Sequence, residues 1–114
     1  MNDPQALHRD AMALAEAASF EQAAGRIDRA QQLYATAFDR ERQAAELLDT
    51  RKDLEPTRSV LFRSAASLAL DCGDPRAAER LLARALSGDP PPEIASELRD
   101  LFEQVNLQDL ANAK

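Results

Sequence analysis

Branched and aromatic side chains are scarce in this 114-residue chain: two Val, two Ile, three Thr, four Phe, one Tyr and no Trp. Those residues favour pleated sheets, so their scarcity excludes a sheet protein. In their place stand twenty-three Ala and sixteen Leu, which lose little on entering a helix. The expected class is all-α, and the length suits one domain.

Other absences narrow the function. The single cysteine, Cys72, leaves no internal disulfide and no need for an oxidising compartment. No apolar run approaches the ~20 residues of a membrane span. The start, MNDPQALHRD, lacks the basic and apolar regions of a secretory signal, so cytoplasmic residence is expected. Basic residues number fourteen against twenty acidic ones, for a net charge of −6. The Arg residues are scattered, with no stripe to neutralise phosphates or an anionic membrane. Neither nucleic acid nor membrane is an expected partner. Twelve Arg against two Lys, with so much Ala, fits a GC-rich bacterial genome.

Catalytic equipment is also missing. His8 is the only histidine and reads as a surface residue among charged neighbours. Cys72 falls at a helix C-terminus, where the dipole opposes a thiolate, and reads as a small packing residue. There is no HExxH, CxxC, GxGxxG or GxxxxGK[ST]. No cofactor and no metal are therefore expected, and the carboxylates read as a solvated face. The chain is not expected to be an enzyme.

What the chain does have is helix punctuation. Asp3-Pro4 and Asp74-Pro75 each pair an N-cap with a first-turn proline, and Gly25 and Gly73 are stop signals. A helix from Pro4 to Ala24 is followed by one from about Ile27, which the polar stretch 39–42 carries on towards Arg51. Residues 49–56 form a connector closed by Pro56. A third helix starts at Pro56-Thr57, a fourth spans Pro75 to about Ser87, and a fifth carries Ile94, Leu98, Leu101, Phe102 and Val105 on one stripe. Residues 106–114 read as a flexible tail.

The chain also repeats itself. Shifted by 48 residues, 14–38 overlies 62–86 with eight identities: Ala17/Ala65, Ala18/Ala66, Ser19/Ser67, Gly25/Gly73, Ala30/Ala78, Leu33/Leu81, Ala35/Ala83 and Ala37/Ala85. Small residues at fixed offsets around a Gly turn, used twice, mark a repeat architecture.

Phe62, Ala65, Ala66, Ala69, Gly73, Ala78, Leu82, Ala85 and Pro90 together resemble the 34-residue tetratricopeptide repeat (TPR). The first copy matches through Leu14, Ala17, Ala18, Gly25, Ala30, Tyr34 and Ala37. It departs with Arg42 in place of the closing proline, Glu21 in place of a large residue, and a 48-residue spacing. The resemblance covers roughly residues 11–105. It implies antiparallel hairpins stacked as a short right-handed superhelix of about five helices. The hairpins would be 4–54 and 57–88, with a capping helix at 92–105. An ordinary helical bundle with a duplicated hairpin shares these helix boundaries.

The same resemblance implies a binding face on the first helix of each pair: Met12, Glu16, Ser19 and Gln22, then Val60, Arg63, Ser67 and Asp71. A partner protein's helix or peptide would dock there, making the chain an adaptor. The clamp that some members use for acidic tails is absent, because Ser67 replaces an asparagine. The alternative is a regulatory or immunity-like subunit whose acidic surface masks a basic partner. Two repeats leave the first hairpin with a bare flank carrying Leu7, Leu14, Phe20, Tyr34 and Phe38. Homo-oligomer contact, or a constitutive partner, is expected there through the first two helices and the extended end of the second.

Overall fold

In a computed structural model, residues 3–113 are described and form helices with no strand among them. The α-helices are α1 (Pro4–Ala23), α2 (Ile27–Leu47), α3 (Thr57–Asp71), α4 (Pro75–Leu86) and α5 (Pro92–Asn112), with a 3-10 turn at Lys52–Leu54. Met1, Asn2 and Lys114, at the ends of the expected domain and tail, lie outside the described residues.

The punctuation works locally. Asp3 accepts a hydrogen bond from the Gln5 backbone N–H and Asp74 from that of Ala77, each at 3.1 Å. Helices α1 and α3 end in the same way, with Gly25 and Gly73 at φ +84° and +73°. Gly25 N–H donates to Gln22 O and Arg26 N–H to Glu21 O. At a shift of 48 residues, Gly73 N–H donates to Leu70 O and Asp74 N–H to Ala69 O. This paired closure satisfies the last carbonyls of a helix and needs a residue at home in the left-handed region. The repeat is thus visible in backbone hydrogen bonds as well as in side chains.

Two boundaries differ from expectation. Helix α2 is continuous through its polar stretch, about 31 Å long at 1.5 Å per residue, but it stops at Leu47 rather than near Arg51. Asp49 and Thr50 are weak helix formers, and both the carbonyl and the carboxylate of Asp49 are held by arginines. Helix α5 runs past Val105 to Asn112, so 106–112 is helix where a tail was expected. No Gly or Pro interrupts that stretch, and Gln108 Nε2 donates to Leu70 O at 3.1 Å, tying it to the end of α3.

Contacts set the directions of the helices. His8 meets Glu41 and Gln22 meets Tyr34, so α1 and α2 are antiparallel. Arg63 meets Glu97 and Leu70 meets Gln108, so α3 and α5 run parallel. Helix α3 touches α2, α4 and α5, while α1 packs chiefly on α2. The whole measures 42 × 37 × 20 Å, and its short dimension is two helix diameters.

Alanines allow this close approach. Of the ten alanines paired by the 48-residue shift, Ala18, Ala30, Ala37, Ala65, Ala66, Ala78 and Ala85 are buried, while Ala35 and Ala83 face outward. Ala17 is exposed, because the outer flank of α1 has no neighbour to approach. Phe62, Leu82, Leu98 and Val105, from α3, α4 and α5, are fully buried in one core cluster.

An arginine side chain lies inside this core. Arg58 is 1 % exposed. Its Nε donates to Asp49 O at 2.8 Å and its Nη2 to Arg84 O at 3.0 Å; its Nη1 lies 3.4 Å from Ala85 O. Its guanidinium lies over the Phe62 ring, 5.1 Å from the centroid, with Arg84 also 5.2 Å from that centroid. A Cβ at Gly88 would collide with the Arg58 guanidinium, which gives that glycine its reason. Arg58→Ala should therefore lower the unfolding free energy by about 2–4 kcal/mol in urea titrations. A loss below about 0.5 kcal/mol, ordinary for a surface change, would contradict this role.

Candidate docking site

The expected binding face splits into parts. Arg63 and Ser67 line an open trough of about 420 Å³ between α3 and α5, together with Ser64, Glu97, Asp100, Leu101 and Gln104. That volume is in the range of ligand clefts (~300–1,000 Å³), and the trough is open to solvent. Arg63 forms an ion pair with Glu97 across the trough. Both partners are partly solvated, so the pair contributes only tenths of a kcal/mol.

Asp71 borders a different cleft, with Gln31, Ala35, Leu70, Cys72 and Gly73. Burial pushes its carboxyl above the usual range. Gln22 turns towards α2 and accepts a hydrogen bond from the Tyr34 hydroxyl at 3.3 Å. Met12, Glu16, Ser19 and Val60 line neither cleft. Among the expected flank residues, Leu7 is buried in the core and Phe38 packs against it. Phe20 remains 68 % exposed at the hairpin tip, near the exposed Ile27.

The α5 side of the trough was missed from sequence, although a signal existed. Glu97 and Leu101 follow Arg63 and Ser67 by the 34-residue repeat length. Leu101 also lies at the edge of the α5 apolar stripe.

Behind the trough is a buried carboxylate. Glu41 is 0 % exposed, with its two oxygens 2.9 and 2.8 Å from His8 Nδ1. Burial raises its pKa, while hydrogen bonding from Ser64 and His8 pulls it back. Two surface assignments and one packing assignment are corrected here. Glu41 is not on a solvated face, because it shares the buried stripe of Ala37, Ala44, Ala45 and Leu48. His8 is not a free surface histidine but the half-buried partner of Glu41. Cys72 is exposed rather than packed, since it caps α3 at the turn. Its thiol is pushed up by partial burial and then by Asp71 and Asp74.

Among the described residues, no group of three or more His, Cys, Asp or Glu is placed to hold a metal ion. No helix among them is long and apolar enough to cross a membrane. No protein-family model, curated protein or solved structure matches the chain.

The buried carboxyl makes stability depend on pH. Because its folded-state pKa lies above the ordinary 4.5, Glu41 contributes stability fully below that value. The contribution is lost as pH rises through the folded-state pKa. Glu41→Gln should gain on the parent protein as pH rises from acid to neutral, in urea unfolding at stepped pH. A stability–pH curve parallel to the parent's would contradict this.

Proposed function

We propose that the chain is a non-catalytic protein-interaction module, a short TPR-like adaptor that docks a partner's helix or extended segment in the α3–α5 trough. The observation carrying this reading is that Arg63 faces Glu97 across a sequence separation of 34, the TPR repeat length. Helix α5 then stands to α3 as the first helix of one repeat stands to that of the next. Such helices line the concave side of a right-handed superhelix. Matched closures at Gly25 and Gly73 support the repeat.

Cytoplasmic residence belongs to the same proposal, supported by a lone free cysteine. A second reading, self-association through the first hairpin, is favoured by the exposed Phe20 and Ile27 at its tip.

A photo-crosslinking side chain separates these readings. Placed at Ser67 or Gln104, it should capture one defined polypeptide from source cells, and excess unlabelled protein should compete the capture away. The same group at Ala83, exposed on α4, should capture nothing. Equal capture at all three positions, or capture only when the same group is placed at Phe20, would contradict the trough.

A further inference from the structure

We infer that the occupant of the trough is a cationic amphipathic segment of another protein, with Arg or Lys side chains on Asp100 and Glu97 and an apolar side chain on Leu101. This rests on the docking proposal above and adds the chemistry of the partner.

The charge is distributed unevenly between helices. Helix α5 carries Glu93, Glu97, Asp100, Glu103 and Asp109 against Arg99 alone, or −4 of the chain's net −6. Helix α4 carries Arg76, Arg80 and Arg84 against Glu79, or +2. A cation approaching the molecule is therefore drawn to the α5 side and away from α4.

Within the trough the charged residues are Arg63, Glu97 and Asp100. Arg63 is committed to Glu97, while Asp100 has no ion-pair partner among the described residues. Ser64, Ser67 and Gln104 supply hydrogen-bonding edges, and Leu101 supplies an apolar contact. An acidic segment would bring its carboxylates onto Asp100 and displace Glu97 from Arg63. A basic one satisfies Asp100 and leaves that pair intact or exchanges with it. Rim pairs in such an open site give rate and specificity more than affinity, so the apolar side chain on Leu101 provides the anchor.

Three helical peptides of one apolar pattern, bearing Arg, Gln or Glu on the flanking positions, test this against the full-length protein. Binding is read by fluorescence anisotropy and by amide NMR shifts. The Arg peptide should bind and shift Ser67, Leu101 and Gln104. Its affinity should fall about tenfold or more between about 0.1 M and 1 M salt, as the screening length shrinks from ~10 to ~3 Å. Asp100→Asn should weaken it several-fold while leaving the far-ultraviolet circular dichroism unchanged, and Leu101→Gln should weaken it further.

Equal binding of the Gln peptide at those residues would overturn the cationic assignment while leaving the trough as a docking site. Shifts confined to the Phe20–Ile27 tip would overturn both. No binding of the Arg peptide would overturn the cationic assignment, whatever the crosslinks show. A second copy is the competing occupant, offering Arg76 and Arg80. A dimer in sedimentation that Arg76→Glu with Arg80→Glu abolishes would overturn the inference in its favour.

Discussion

A guanidinium enclosed by helix ends holds this molecule together. Burying a charge is costly unless it is paired and hydrogen-bonded, and Arg58 meets both conditions. Backbone carbonyls of Asp49, Arg84 and Ala85 accept from it, and the carboxylates of Asp49 and Glu55 stand near it. Those groups come from the end of the first hairpin, the start of α3 and the last turn of α4. Glu55 also accepts from the Ser59 backbone N–H at 2.9 Å, capping α3 where no N-cap side chain does so. Arg84 closes the outer side, and its hydrogen bond is the main reason the Asp49 carboxyl is held below the usual range.

With its start fixed in this way, α3 becomes the central element of the fold. Its inner side chains, Phe62, Ala65, Ala66 and Ala69, are sealed between α2, α4 and α5. Its outer side then presents Arg63, Ser64 and Ser67 along one wall of the trough. Gln108 holds α5 to the far end of α3, so the second wall is placed by α3 as well. Ser64 links the two polar systems: it lines the trough and helps to offset the burial that raises the pKa of Glu41 behind it. The proposed docking surface and the buried carboxylate therefore share a helix turn.

Much of the framework was legible in the residues. Pro, Gly and Asp mark where backbone groups must change partner, and they located the turns at Gly25 and Gly73. Seven of the ten alanines paired by the repeat are buried, and Ala17, Ala35 and Ala83 are exposed, so the repeat marked small residues without telling which of them meet a neighbour. Glu41 and Arg58 were misread or passed over because charge suggests solvent. Yet both lie in register with apolar residues: Glu41 with Ala37, Ala44 and Ala45, and Arg58 with Leu61, Phe62 and Ala65. Periodicity outweighed residue type at both positions, and each is buried with a partner from another helix. The α5 wall was hidden for a different reason. A trough needs two helices, and the pairing of Arg63 with Glu97 shows only once the repeat length is applied across the proline-rich turn at 90–92.

The central role of α3 is tested most directly by native-state hydrogen exchange, since amides open in units whose protection reflects their packing. The amides from Leu61 to Ala69 should exchange last, only through global unfolding. Those of the hairpin tip around Gly25 and of the last turns of α5 should exchange first. Exchange from α3 as fast as from the hairpin tip would contradict a fold built around Arg58 and the helix it anchors.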